Sequence, residues 1–151
     1  MLNTASAIMS FYERLEDQAA GFYDSLARDE KFSEGRDTFM ALSKESRRHK
    51  EMVLRVYREV ITDAIEAGFS FTGLDESDYE IDTELTGDLS LRDVLEKAVD
   101  IEEKSQRLCN DASESSRALM ADITQALGWV ASRKARRVQT LKSLRDEISA
   151  G

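Results

Sequence analysis

No proline interrupts the 151 residues of this chain, and only seven residues are glycine. Proline ends or kinks a helix and glycine weakens one, so a chain with so few of either can form long helices. Through most of the sequence, apolar residues recur at alternating steps of three and four, which is the spacing of one face of an α-helix. The sequence therefore predicts an all-α fold.

Four segments carry this spacing and predict four helices, over about residues 4–29, 33–67, 90–113 and 116–149. Ser90 and Asp93 resemble a capping box, which marks the start of the third helix. Each segment has one apolar stripe, and a four-helix bundle buries four such stripes against one another. We expect residues 1–151 to form a single domain of this kind.

Segment 68–89 separates the second helix from the third. It contains seven acidic residues, no basic residue and three glycines, which break the helical period. An extended segment of this length can span a helix of about 35 residues, which is roughly 50 Å long. The sequence therefore predicts a long crossover, with helices 2 and 3 parallel.

Composition excludes several classes of protein. The formal net charge is −9, whereas proteins that bind nucleic acid or anionic membranes present clustered Lys and Arg. No apolar run approaches the roughly 20 residues of a membrane span, and the N-terminus lacks the pattern of a secretion signal. We expect a cytoplasmic protein that binds neither nucleic acid nor a membrane.

Polar residues interrupt the apolar stripe of every helix near its middle. They are Glu16 in the first helix, Ser46 and His49 in the second, Glu102 in the third, and Lys134 and Arg137 in the fourth. The steps from Val130 through both cations to Leu141 are four, three and four, which places the cations on the buried face. The pattern predicts one polar layer across the core of the bundle.

A weak internal repeat relates the two halves of the chain. Laying helices 1 and 2 over helices 3 and 4 sets Glu16 on Glu102 and His49 on Arg137, with apolar residues matched around them. The repeat predicts two helical hairpins that meet across the bundle.

Four stretches carry these features: LEDQAAGFY, LSKESRRHKEMV, DIEEKSQRL and WVASRKARRVQTL. In this order and register they resemble the ferritin-like superfamily, and within it the rubrerythrin-related four-helix bundles. The resemblance implies a dinuclear iron or manganese site, built from one Glu on each of two helices and a Glu-x-x-His motif on each of the other two.

Only half of that ligand set is present in this chain. Three positions keep the family's residue and are the candidate metal ligands: Glu16, His49 and Glu102. At the other three positions the family's metal ligand is missing, and these residues stand in its place: Ser46, Lys134 and Arg137. The two cations balance the two carboxylates, so we expect a buried layer of ion pairs in place of the metal ions.

The degenerate site predicts a non-catalytic scaffold or interaction protein, without catalytic residues or a cofactor, which binds a protein partner or forms the homodimer that the resemblance implies. The alternative is a rubrerythrin-type oxidoreductase, peroxidase or metal-binding protein with an unusual iron or manganese site. A rubredoxin-like iron centre would need four cysteines, and the chain has only Cys109. A third interpretation is an unrelated helical bundle with short loops, in which helices 2 and 3 would be antiparallel.

Other residues near the layer have simpler interpretations. Glu45 lies one turn before His49 but off the stripe, so we expect a surface charge. Tyr12, Tyr23 and Trp129 fit core packing better than a redox role. Cys109 fits a small gap in the core better than peroxide chemistry, which needs an exposed thiolate.

Overall fold

The computed structural model describes residues 2–60, 73–116 and 121–150 of the chain. These residues form four α-helices: α1 (Ala5–Arg28), α2 (Arg36–Val60), α3 (Leu91–Ser116) and α4 (Ala121–Ala150). The all-α, four-helix prediction is confirmed. The last part of the predicted second helix, residues 61–67, lies outside the described residues.

Side-chain caps fix where two of the helices begin. Thr4 caps α1, because its hydroxyl oxygen accepts a 3.1 Å hydrogen bond from the backbone N–H of Ala7. At α3 the N–H of Ser90 donates to the Asp93 carboxylate at 2.9 Å, and the N–H of Asp93 donates to the Ser90 hydroxyl at 3.1 Å. The capping box predicted at α3 is therefore confirmed.

Two helix boundaries differ from the predicted ones. A 3-10 helix, Glu30–Gly35, precedes α2 and delays its start. Helix α3 continues past the predicted end at residue 113 to Ser116. Near that predicted break, the Ser113 hydroxyl donates to the Thr124 carbonyl at 2.9 Å, and the Thr124 hydroxyl donates to the Ser113 carbonyl at 3.2 Å. Ser113 and Thr124 therefore join α3 to α4.

The helices pack as two hairpins. Helix α1 packs along α2, α3 packs along α4, and the hairpins meet where α2 contacts α4 and α1 contacts α3. A Cβ atom on Gly35 would lie 2.8 Å from the Phe39 ring and 3.4 Å from Leu91, so glycine allows the starts of α2 and α3 to approach each other. Val60 and Asp122 line one groove, which places the end of α2 beside the start of α4. Helices α2 and α4 are therefore antiparallel.

The described part of the linker, residues 73–90, lies against the bundle. Leu2 and Leu74 exchange two backbone hydrogen bonds, of 2.8 and 3.1 Å. Three acidic residues of the linker form ion pairs: Glu80 with Arg14, Asp82 with Lys97 and Asp88 with Lys31. The segment thus contacts Leu2, which precedes α1, and Lys31, which follows it, so it runs along the length of α1.

The apolar core consists of two clusters, each with residues from all four helices. The first includes Tyr12, Leu15, Val53, Leu108 and Leu127. The second includes Tyr23, Leu26, Phe39, Leu95 and Leu141. Along every helix, the boundary between the clusters falls at the polar residues that interrupt the stripe.

Candidate functional site

Six buried polar residues separate the two apolar clusters, and we call them the polar layer. Each is at most 3% exposed: Glu16, Ser46, His49, Glu102, Ser105 and Lys134. The predicted layer is therefore present, with Ser105 added and Arg137 displaced. Ser105 follows Glu102 by three residues on the same face of α3, a spacing that could have identified it.

The ammonium group of Lys134 lies between the two buried carboxylates. Its Nζ is 2.7 Å from Glu16 Oε1 and 3.9 Å from Glu102 Oε2. Burial favours the neutral amine, but the Glu102 and Glu16 carboxylates outweigh burial and raise the pKa of Lys134 above its ordinary value. Lys134 is therefore a buried cation that links α4 to α1 and α3.

Two tyrosines of α1 donate hydrogen bonds to these carboxylates. The Tyr12 hydroxyl donates to Glu16 Oε2 at 2.7 Å, and the Tyr23 hydroxyl donates to Glu102 Oε2 at 3.0 Å. Burial and the neighbouring carboxylates raise the pKa of both tyrosines well above the ordinary value. Both phenols therefore remain protonated and act as hydrogen-bond donors, in addition to the core packing that the sequence predicted.

The two glutamates are not equivalent, although the sequence repeat pairs them. Glu16 accepts hydrogen bonds from both Lys134 and Tyr12, whereas Glu102 accepts one from Tyr23. Glu102 Oε1 is buried and has no hydrogen-bond partner within the described part of the chain. Burial raises the pKa of Glu102, with Lys134 opposing the shift and Glu16 adding to it. Glu102 therefore takes up a proton at a higher pH than an ordinary glutamate does.

His49 lies in the layer as an uncharged ring. Its Nδ1 is 3.8 Å from Glu16 Oε2, and its ring meets Trp129 edge to face, with centroids 5.6 Å apart. Burial, followed by the charges of Lys134 and Arg133, lowers the pKa of His49 from 6.5 to about 3. His49 is thus neutral at physiological pH, and the neutral ring is the form that binds metals. A metal ion beside it would, however, have to compete with Lys134 for the nearest carboxylate, Glu16.

Acid should destabilise the folded chain through His49. Between pH 6.5 and about pH 3 the unfolded chain binds a proton on this ring and the folded chain does not, so the free energy of unfolding falls as the pH falls. We expect His49→Gln to reduce that fall by about 2–4 kcal/mol, since one pKa unit corresponds to about 1.4 kcal/mol. Urea unfolding of both proteins at pH 7 and pH 4 measures the difference. If the wild type and His49→Gln lose the same free energy of unfolding between pH 7 and pH 4, the ring is solvated in the folded chain.

Arg137 lies at the edge of the polar layer and not within it as predicted, and its Nη1 atom is buried without a hydrogen-bond partner among the described residues. Its side chain is 12% exposed and pairs with Glu45 on α2. The buried line of α4 runs from Lys134 to Val138 and on to Leu141. The 3.6-residue period of a helix drifts against a strict three-and-four alternation, and this drift turns residue 137 towards the edge.

Two further predictions near the layer are also wrong. Glu45 is not a free surface charge, because it is partly buried and pairs with Arg137 and, at 3.4 Å, with Arg133. Trp129 is not packed in the core, since 48% of it is exposed, and the Arg133 guanidinium lies 5.4 Å from the centroid of its ring. Cys109 is fully buried and burial raises the pKa of its thiol, as expected for a core residue.

These residues do not fit the dinuclear metal centre that the resemblance implies. Such a centre needs several anionic oxygens around two dications, but the ammonium group of Lys134 stands beside both carboxylates. Within residues 2–60, 73–116 and 121–150, no group of three or more His, Cys, Asp and Glu is arranged to hold a metal ion. The metal site predicted at Glu16, His49 and Glu102 has no support from this geometry.

Comparisons with protein-family models, with curated proteins and with solved structures found no match to this chain. Membership of the ferritin-like superfamily, a homodimeric state and a cytoplasmic location therefore stay predictions. Of the helices described above, none combines the length and the apolar character that crossing a membrane requires.

Proposed function

We propose that this chain is a non-catalytic scaffold or interaction protein, with a ferritin-like bundle in which a buried ion pair takes the place of a metal centre. One observation carries the proposal. Lys134 Nζ lies 2.7 Å from Glu16 Oε1 and 3.9 Å from Glu102 Oε2, and all three residues are at most 1% exposed.

The ion pair disfavours metal binding by direct competition. A metal ion at these carboxylates would have to displace the Lys134 ammonium, which is covalently held in the core. A buried ion that loses its partner costs several kcal/mol. The bonds from two carboxylates and one imidazole to the metal would then have to offset both the cost of the unpaired ammonium and the cost of dehydrating the metal ion.

The inaccessibility of the layer supports a role without catalysis. Its six residues are at most 3% exposed, so no substrate can touch them unless the helices move apart. The groups available to another molecule are on the outer faces of the helices, which supports a function through the surface.

The course of the linker supports the ferritin-like form. Gly35 and Leu91 place the starts of α2 and α3 at one end of the bundle. The connection between these helices must therefore return along the whole bundle, and residues 73–90 contact both Leu2 and Lys31. We infer that the linker is the predicted long crossover, and that α2 and α3 are parallel.

Metal analysis tests the proposal. The protein is purified without a tag, dialysed against excess Fe(II) or Mn(II) without oxygen, and analysed for bound metal. We expect far less than one equivalent in the wild type, because the ammonium occupies the carboxylates. A variant with Ser46→Glu and Lys134→Ala restores one missing ligand and removes the cation, so it should retain more metal than the wild type.

Stoichiometric metal in the wild-type protein would contradict the proposal if it is lost on Glu16→Ala or His49→Ala. The alternative, a metal-binding protein or oxidoreductase with an unusual site, would then be the better interpretation. Glu103→Ala is the matched control, because Glu103 pairs with Lys142 on the surface and lies outside the layer.

A further inference from the structure

Positive charge is concentrated on two helices of an acidic chain. Helix α2 has seven basic and four acidic residues, and α4 has six basic and three acidic residues, whereas the chain as a whole has a formal net charge of −9. The acidic excess lies elsewhere, in α3 and in the linker, which has seven acidic residues and no basic one. The outer side of the α2 and α4 pair therefore differs in charge from the rest of the molecule.

Two grooves follow the line where α2 and α4 meet. The first has a volume of about 340 Å³ and is lined by Thr38, Ala41, Leu42, Thr140 and Leu141, with Arg137 and Asp37 at its edge. The second has a volume of about 420 Å³ and is lined by Met52, Val56, Val60, Ala126 and Trp129, with acidic residues at its edge. We call this line, with its two grooves, the α2–α4 seam.

Exposed arginines lie beside the residues that line the two grooves of the seam. On α2, Arg55 is exposed and lies between Met52 and Glu59 at steps of three and four, and both of these residues line the second groove. On α4, Arg136 is exposed and lies between Arg133 and Thr140 on one face. Arg55 and Arg136 form no ion pair with the residues that the structure describes.

An exposed tryptophan completes this surface. Trp129 is 48% exposed at the edge of the second groove, with the Arg133 guanidinium against its ring. Tryptophan and arginine dominate the residues that contribute most to protein–protein binding. Apolar grooves beside unpaired arginines have the composition of the centre of an interface, not of an ordinary surface.

We propose that the α2–α4 seam is the docking surface for an amphipathic helix of a partner protein, with an acidic middle and apolar residues towards its ends. The proposal rests on the function proposed above, since it identifies the surface through which a scaffold would act. Leu42 and Val56 lie in different grooves and are about 21 Å apart along α2, at 1.5 Å per residue. A partner helix of about four turns can place an apolar side chain in each groove.

The distribution of charge selects a helix over other acidic partners. Asp37 lies at the far end of the first groove, and Glu59 and Asp122 lie at the second. These carboxylates would repel a continuous polyanion, such as a nucleic acid or an anionic membrane, at both ends of the seam. Between the grooves the seam has Arg133, Arg136 and Arg137 around one carboxylate, Glu45, which pairs with two of them. A helix that is acidic only in its middle therefore meets an excess of positive charge and avoids the carboxylates at the two ends.

Tryptophan fluorescence gives a direct test, because Trp129 is the only tryptophan in the chain. The probes are two synthetic helical peptides of about 20 residues with leucines spaced for the two grooves. One peptide has glutamates in the middle, and the other has lysines at those positions. We expect the acidic peptide to give a saturable change in Trp129 emission and the basic peptide to give none.

Charge reversal locates the binding site. Arg55→Glu with Arg136→Glu should weaken binding of the acidic peptide by about tenfold or more, since charge complementarity across the seam is lost. Arg58→Glu is the matched control, because Arg58 is exposed on the face of α2 that carries Arg47, which pairs with Asp24 of α1. The control should bind like the wild type. Circular dichroism verifies that each variant remains helical.

Several outcomes would overturn the docking proposal. They are an absent response to the acidic peptide, equal binding of the basic peptide, and an undiminished affinity in the doubly reversed variant. A stronger response to a single-stranded oligonucleotide or to phosphatidylserine vesicles would assign the seam to a different partner. Self-association that Arg55→Glu with Arg136→Glu abolishes would assign it to a second copy of the chain. Metal content of the same preparation is measured separately, so failure of the docking proposal and failure of the proposed function are distinguishable.

Discussion

Replacing Lys134 with methionine is expected to lower the free energy of unfolding by about 3–5 kcal/mol, the scale for leaving a buried charge without its partner. Methionine is close to lysine in length and fills most of the same space, so lost packing contributes little. The loss comes from Glu16, whose 2.7 Å contact with the ammonium disappears while the carboxylate stays buried. Urea unfolding at neutral pH, followed by circular dichroism, measures the change.

The control for this experiment is Lys142→Met on the same helix. Lys142 Nζ lies 3.4 Å from Glu103 Oε1, and the two side chains are 38% and 48% exposed. An exposed pair of this kind contributes about 1 kcal/mol or less. If both methionine variants lose equal stability, Lys134 is hydrated and the polar layer is not the dry ion pair described above. Adding Glu16→Gln to Lys134→Met should recover much of the loss, because the orphaned carboxylate is then gone.

Glu16→Gln and Glu102→Gln should differ strongly, despite the sequence repeat that pairs the two residues. Glu16→Gln removes the charge nearest Lys134, so the buried ammonium keeps only Glu102, at 3.9 Å. We expect a loss of about 3 kcal/mol in the free energy of unfolding. Glu102→Gln should cost less, because Lys134 keeps its 2.7 Å contact with Glu16 and burial raises the pKa of Glu102, which disfavours its charged form.

The dependence on pH provides a second measurement of the same difference. Because the pKa of Glu102 is higher in the folded chain, there is a pH range in which the folded chain holds a proton on this carboxyl and the unfolded chain does not. Above about pH 4.3, the ordinary glutamate value, this carboxyl therefore lowers the stability of the folded chain as the pH rises through its folded pKa. Glu102→Gln removes this contribution, so its stability relative to the wild type should increase from pH 4 to pH 8. A constant difference would contradict the raised pKa.

The sequence predicted the helices and the depth of the polar layer because both depend on spacing along the chain. Apolar residues at steps of three and four, interrupted once per helix, placed Glu16, His49, Glu102 and Lys134 in the core. Spacing alone does not determine whether a residue at the edge of the stripe is turned into the core or away from it. Arg137 satisfied the alternation of steps, but the drift of the helical period leaves Val138 inside and places Arg137 at the edge, where it pairs with Glu45.

Features that depend on the ends of side chains could not be predicted in this way. A stripe fixes where the Cβ atoms lie, but the Tyr23 hydroxyl reaches a carboxylate on another helix, several bonds away from its own Cβ. Glu45 lies off the stripe, yet two long arginine side chains reach it across the seam. Exposure of Trp129 depends on how closely α2 approaches α4, which the pattern within either helix does not contain.

The division of the apolar core by the polar layer also bears on how the bundle opens. Every helix passes through both clusters, so we expect that one cluster can open while the other still holds four half-helices together. Such partial opening separates at the layer, where apolar contact between the clusters is replaced by the contacts of Glu16, Glu102 and Lys134. Amide protons should then exchange in two groups with different protection, one group in the half around Tyr12 and the other in the half around Phe39. In this view the layer is a boundary between two cooperative units within continuous helices.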